Sequence, residues 1–442
     1  MQRPPSDSPT GWALIAALRL LMEHVLKGQP VRDAARLAVR LVGARIMSII
    51  TLVVAAWLVD IEAFAEYGVY QTLAALALIA LFLRYDAAVV AARTEAEAGD
   101  ALRLCIGIGT MLWAVFALAS LIGGWAGLMR MQLALLLPFS ILMRGLLCLS
   151  FAMVVRDGDF KGIGRASLVQ AIVQPTSLLV LVLSPIPDPL CFAIADIIGH
   201  SSSVLYLALR RRDRLKVLWS GRTGMPLVKA AMRWKNLPLY NLPSSAFSQA
   251  FVMSPLLIMP VVTDAVFAGH VALAYRIFDV PTQVITAAST PIFLNRLMPS
   301  VERANPVFGR HILIGLILLL GVAYGGMAGL FLAADPWLEG SELAGLAEAI
   351  PLVAVFQLFV ALAAPLNDSC SLYQQQKRLV LIQGLSLLVG VYGAFLATRI
   401  SPDGILVALA IIAGCRALAL GELLRKLSGL SRRSFAEDPL RS

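Results

Sequence analysis

The sequence predicts an all-α integral membrane protein with twelve transmembrane helices in two six-helix lobes around a central cavity. Three observations carry this. Of 442 residues, 59% are hydrophobic and only 14% are charged, whereas soluble domains carry about 25% charged residues. The apolar residues come in runs of roughly 20, the length needed to cross a hydrocarbon layer about 30 Å thick, and not in the alternating stretches of about 10 that barrel strands show. Lys and Arg are concentrated in every second loop, as expected where cytoplasmic loops keep the positive charge.

Residues 1–34 form a cytoplasmic N-terminal segment. Its apolar run "GWALIAALRLLM" is broken by Arg19 and is followed by no small-residue cleavage site, so it does not read as a signal peptide. Arg19, Glu23 and Lys27 lie opposite Trp12, Leu18, Leu21 and Leu26, the pattern of a helix lying in the membrane interface. The N-terminal lobe, 35–210, holds spans at about 35–58, 66–90, 101–125, 131–155, 164–184 and 189–209. A basic cytoplasmic linker, 211–236, follows; "RRRDRLKVLWSGRTGMPLVKAAMRWKNLP" carries nine Lys and Arg. The C-terminal lobe, 237–425, holds spans at about 237–260, 265–295, 309–333, 347–370, 378–398 and 404–424, and 426–442 is a cytoplasmic tail.

With both termini cytoplasmic, the outside loops hold only Arg130 and Arg399, and seven arginines fall within spans. The net charge of +10 then reports orientation and contact with an anionic inner leaflet, and nucleic acid need not be invoked. Cys105, Cys148, Cys191, Cys370 and Cys415 are odd in number and scattered, with no C-x-x-C, so neither a disulfide framework nor a metal site is expected. "CIGIGT" and "KGIGRA" lack the third glycine and the preceding strand of a nucleotide fingerprint, and neither G-x-x-x-x-G-K nor H-E-x-x-H occurs. No enzymatic activity and no cofactor are expected.

The halves echo each other. "VDIEAFAEYGVY" and "VTDAVFAGHV", about 200 residues apart, each place an Asp in a short outside turn before Phe, Ala and Gly. Paired halves of this kind are a transporter plan, with a site between them that opens alternately to each side.

The stretch "RIFDVPTQVITAAST" carries the most chemistry. Arg276, Asp279, Gln283, Thr286 and Thr290 are spaced 3, 4, 3 and 4 apart, which is one helical face, with Ile277, Val280, Val284, Ala288 and Pro291 opposite. Arg276 stands about 11 residues into its span, roughly 16 Å at 1.5 Å per residue. Snorkelling does not reach that far, and an arginine at mid-membrane costs about 2.5–3.5 kcal/mol without water or partners. Asp279 neutralises it in part, and Pro281 frees the carbonyl of Ile277. A seam of cations, amides and hydroxyls suits an anionic, hydroxyl-rich substrate; the alternative is a purely structural ion pair.

Other buried charges have two readings each. Arg36 and Arg40 lie near enough to the cytoplasmic end to snorkel, and Arg144 and Arg416 have backbone carbonyls of neighbouring helices as an alternative use. In "RYDAAVVAAR", Asp86 either pairs with a first-span arginine or anchors the span at the interface. In "ADIIGHSSS", Asp196 and His200 share a face, as a proton relay or as a hydrogen-bonded pair joining helices. Asp86, Asp196, His200 and Asp279 are the candidates for ion coupling.

On these residues the chain resembles the Wzx-type polysaccharide flippases of the multidrug/oligosaccharidyl-lipid/polysaccharide exporter superfamily, over about 35–425. The resemblance rests on "FAEYGVYQTLAALALIALFLRYDAAVVAAR", "NLPLYNLPSSAFSQAFVMSPLLIMPVV" and "GHVALAYRIFDVP". The A-x-R-x-x-acid-x-P pattern of the related lipid II flippases stands here as Ala274, Arg276, Asp279 and Pro281, and their first-span Arg–Gly–Arg as Arg40, Gly43 and Arg45. Their second-span arginine falls at Arg84. Asn295, where the family often has Pro, and His200, where many members have Arg, depart from the pattern.

The resemblance implies that Arg40, Arg45, Arg84 and Arg276 hold a pyrophosphate; the amide and hydroxyls of Gln283, Thr286 and Thr290 then suit contact with sugar. It implies a substrate of polyprenyl-pyrophosphate-linked oligosaccharide, membrane lipids around the tail, and polysaccharide polymerase and glycosyltransferase partners at the bacterial inner membrane. A cation/drug antiporter of the same superfamily would need a carboxylate-rich cavity, against the arginine excess expected here. An integral-membrane polysaccharide polymerase or glycosyltransferase would need a larger outside loop than "ADPWLEGSELAGLAE". A lipid-binding scaffold without transport is a third alternative.

Overall fold

A computed structural model describes residues 50–212, 226–279, 281–282, 306–338, 343–371, 376–399 and 401–436. The N-terminal half comprises α1 (50–56, the described end of the first span), α2 (Ile61–Leu81), α3 (Asp86–Ala91), α4 (Glu95–Trp125), α5 (Met131–Arg156), α6 (Phe160–Val182) and α7 (Asp188–Arg210). The C-terminal half comprises α8 (Leu227–Arg233), a π-turn (Leu237–Asn241), α9 (Leu242–Val252), α10 (Ser254–Val262), α11 (265–279), α12 (Pro306–Leu338), α13 (Leu346–Ser371), α14 (Gln376–Ala397) and α15 (Pro402–Ala436). Among the described residues nine helices are long and apolar enough to cross a membrane, or ten if the α9–α10 pair is one span. The interfacial helix expected in 1–34, most of the first span, 213–225 of the linker and 283–295 of the eighth span lie outside the described residues.

Local chemistry explains the helix ends and the breaks. Thr94 caps α4 by accepting from the Glu97 N–H at 3.2 Å, and Glu97 reaches back to the Arg93 N–H at 3.0 Å, satisfying donors that a helix start leaves open. In α5, Pro138 lacks an N–H and so frees the carbonyl of Ala134; Ser120 of α4 donates to that oxygen at 2.7 Å. The same logic operates at the α9–α10 junction. Pro255 frees the Phe251 carbonyl, Ser254 Oγ donates to it at 2.7 Å, and the two helices bend by 46°. The seventh span, expected as one continuous run, is therefore broken at Met253.

The second span is also corrected. The continuous run expected at about 66–90 ends at Leu81, and Leu83 (φ 48°) and Arg84 (φ 64°) are left-handed before α3 begins. Non-glycine residues adopt this region only when packing imposes it. Here Phe82 is 5% exposed and lies between α4 and α5, where a Cβ on Gly109 would sit 2.5 Å from its ring and one on Gly145 2.5 Å from Leu81. The C-terminal helix runs the other way: α15 continues to Ala436, through residues expected to be tail.

Within the N-terminal half α5 packs on α4 and α7, and α7 on α6; in the C-terminal half α15 packs on α13 and α14, and α9 on α14. The halves meet along α2. Near Asp60, a Cβ on Gly269 of α11 would sit 2.2 Å from the Ile61 carbonyl, and one on Gly68 3.4 Å from Ala272. These glycines belong to the repeated Phe-Ala…Gly segments, so the two related helices cross on their small residues. At the other end of α2, Arg84 Nε donates to Asn241 Oδ1 at 2.9 Å, and the linker helix α8 docks on α4 through Arg233 and Glu97, 2.6 Å apart. This end is basic and the Asp60 end acidic. Gly269→Ala is expected to cost about 1–3 kcal/mol through overpacking, read as a lower melting temperature in detergent. Gly123→Ala, with open space around its Cβ, is the control and should be neutral or stabilising; equal melting of both variants contradicts the close crossing.

Candidate substrate cavity

Five helices of the N-terminal half and α11 of the C-terminal half enclose a cavity of about 320 Å³. Its deepest polar group is Asp196 of α7, 1% exposed. Burial of a carboxylate at membrane depth requires partners, and Asp196 has them. Arg144 of α5 grips it with Nη2 at 2.7 Å from Oδ1 and Nε at 3.3 Å from Oδ2, while Ser140 Oγ donates to Oδ2 at 2.8 Å. His200, one turn along α7, places Nδ1 2.8 Å from the Asp196 carbonyl oxygen and 3.4 Å from Oδ1.

Arg276 enters from the other half. Its guanidinium carbon lies 4.2 Å from the centroid of the Tyr67 ring, and Tyr67 is stacked on Phe192 at 5.0 Å, so an aromatic floor carries the cation. Arg276 is half-buried, yet its Nη2 is buried with no hydrogen-bond partner among the described residues. Asp279 lines the same cavity. The remaining faces of α11 turn into the C-terminal half: Tyr275 OH donates to the Val252 carbonyl at 3.0 Å, Phe278 stacks on Tyr324, and Thr282 pairs with Tyr324 and with Gln357. The helix is thus polar toward one half and packed toward the other.

The structure brings Arg276, Asp279, Asp196 and His200 together around one cavity. Arg84 and Asp86 are not part of its lining. The left-handed break before α3 turns the chain so that Arg84 meets Asn241, while Asp86 faces Cys148 of α5, 3.9 Å from its Sγ. Arg144 takes Asp196 as partner, and not the backbone carbonyls that were its alternative use. Arg416 likewise donates to Ser248 Oγ and lies over the Phe251 ring at 5.2 Å. The described lining carries two arginines and two aspartates. Arg40, Arg45, Gln283, Thr286 and Thr290 lie outside the described residues.

Sequence reasoning missed Arg144 as the partner of Asp196 and missed the glutamines Gln71, Gln170 and Gln174 in the wall. A lone Arg in one span and a lone Asp in another was the available signal for the first. The glutamines carried a weaker one, being amides inside otherwise apolar runs.

Solved structures share this fold. A lipid II flippase, MurJ, in an inward closed conformation superposes with a TM-score of 0.66 at 14% identity, covering 90% of this chain and 91% of that one. A multidrug resistance MATE family transporter of the MOP superfamily, inward-facing, gives 0.63 at 12% identity, with 90% and 99% covered. A MATE structure in complex with MaD5 gives 0.64 at 14% identity, with 92% and 98% covered. No family model matches the sequence, and no curated protein matches it at a significant level. At these identities the likeness establishes the architecture: the chain is a multi-pass membrane protein with the two-lobed helical fold of the MOP transporters.

Proposed function

We propose that this chain is a flippase that carries an anionic polyprenyl-pyrophosphate-linked oligosaccharide, an O-antigen, capsule or exopolysaccharide repeat unit, across the bacterial inner membrane by alternating access. The observation that carries this reading is the Arg276 donor that has no partner among the described residues, in the cavity between halves. Asp196 already accepts from Ser140 and twice from Arg144, so the open charged group in the described lining on which this reading rests is the Arg276 N–H, which calls for an acceptor-rich ligand such as a diphosphate.

In this reading the basic end faces the cytoplasm, as both termini do. The pyrophosphate enters from there to Arg276, with Arg40 and Arg45 as further ligands, and the polyprenyl tail stays in lipid between the lobes. Arg84, assigned to the pyrophosphate by resemblance, serves instead as a strut to Asn241. Rocking of the halves exposes the head group on the other side. Release against a cation requires a driving force, and Asp279, beside Arg276, is the leading group for coupling, with Asp196 and His200 behind it.

The charge balance of the described lining, two arginines and two aspartates, favours one alternative, an organic-cation antiporter. That reading requires Asp196 to exchange Arg144 for the cation, or Asp279 to take it. Cells lacking the gene separate the two. The flippase reading expects a polyprenyl-pyrophosphate-linked saccharide to accumulate on the inner leaflet; unchanged glycan export together with new sensitivity to cationic drugs establishes the antiporter instead.

A further inference from the structure

We infer that the amide pair Gln170–Gln174 on α6, seated against Gly199 of α7, reads the sugar hydroxyls next to the diphosphate; the inference rests on the flippase reading above. The hydrogen-bond chain fixes the orientation of both amides. The Asp196 carbonyl oxygen can only accept, so the His200 Nδ1 that lies 2.8 Å from it carries a proton, and Nε2, which faces the amide nitrogen of Gln170, is the acceptor. Gln170 Nε2, 3.3 Å from His200 Nε2, must therefore donate to it. The second hydrogen of that amide goes to Gln174 Oε1 at 3.4 Å.

Both donors of Gln170 are then used, and among the described residues its Oε1 is left as an acceptor beside the two donors of Gln174 Nε2. One acceptor next to two donors is the complement of neighbouring hydroxyls, each of which gives and takes a hydrogen bond. Gln71 of α2 lines the same cavity and adds a third amide.

Gly199 holds the pair in place. A Cβ there would meet Gln174 Cβ at 2.5 Å and its Oε1 at 3.1 Å, so the Gln174 side chain lies flat on α7 only because position 199 has no side chain. Amides at membrane depth are costly unless they face water or a ligand, and a wall of them beside Arg276 matches a head group that is part diphosphate and part sugar.

The test uses the full-length protein in nanodiscs and two probes, polyprenyl pyrophosphate and polyprenyl pyrophosphate bearing one hexose. The wild type is expected to bind the hexose-bearing lipid more tightly. Gln174→Met, which keeps the shape and loses the amide, should weaken the hexose-bearing lipid about tenfold, the loss of one good hydrogen bond, and leave the bare lipid unchanged. Gln174→Asn should recover part of the loss, and Gly199→Ala, which displaces Gln174 while keeping its amide, should reproduce it. Equal loss for both lipids, or no loss for either, overturns the inference, as does a wild type indifferent to the hexose; in that last case the flippase reading stands. A wild type that binds neither lipid overturns both.

Discussion

Arg276→Ala is expected to abolish surface-glycan export while the protein accumulates in the membrane at its normal level. The two halves of that expectation come from different observations. Export should fail because the guanidinium offers several charge-assisted donors, each contributing about 1.5–3 kcal/mol to a bound anion, so the diphosphate would lose more than a hundredfold in affinity. Folding should survive because the cation is held by the Tyr67 ring, and its Nη2 has no partner to orphan. A cation over an aromatic ring contributes about 2 kcal/mol at most sites of this kind, which roughly offsets the cost of burying it. Arg276→Lys keeps the charge but loses the planar fork and the stacking, and export should fall between the two. Normal export by Arg276→Ala, at normal protein level, removes the basis of the proposed function.

The second large effect is on stability. Asp196→Ala strands Arg144 at membrane depth with Ser140 as its remaining described partner, and the loss of one member of a buried pair typically costs about 3–5 kcal/mol. Arg144→Leu strands Asp196 in the same way, although His200 and Ser140 stay beside it. The double variant Arg144→Leu/Asp196→Leu removes both charges and should melt closer to the wild type than either single variant. Thermal unfolding in detergent reads the cycle directly. Additive single and double losses would mean that the two groups are not coupled, and the ion pair would not be holding α5 to α7.

Much of the fold was legible because membrane depth imposes length and composition. The apolar run expected at about 101–125 is α4, Glu95–Trp125, and the run at about 131–155 is α5, Met131–Arg156. The two misread spans failed for different reasons. In the seventh, Pro238, Pro243, Pro255 and Pro260 were a visible warning of a break. In the second, nothing local announces the left-handed turn at Leu83 and Arg84; it follows from where Phe82 packs between Gly109 and Gly145, a long-range contact with no local sequence signature.

The cavity was legible only on one side. Spacing alone puts Arg276 and Asp279 on one face of α11, because helical periodicity is a local property. The wall opposite them depends on which helices are neighbours, and periodicity within a span says nothing about that. Arg144 therefore kept backbone carbonyls as an alternative use, Asp196 was matched only with His200 on its own helix, and the glutamines drew no reading.

The unequal fastenings of α2 set a direction. At its acidic end the halves are joined by backbone lying on backbone, Ile61 against Gly269, with no slack for a side chain; at its basic end the described fastenings are side-chain bonds, Arg84 to Asn241, Tyr85 to the Ala231 carbonyl and Arg233 to Glu97. Prying apart the first separates a packed seam, whereas letting go of the second breaks discrete side-chain bonds, which re-form with water and of which the partly exposed Arg233–Glu97 pair contributes about 1 kcal/mol or less. A molecule fastened this way unlatches first at the Arg84 end, so its cheaper doorway is the one through which a negatively charged cargo arriving among the arginines would enter.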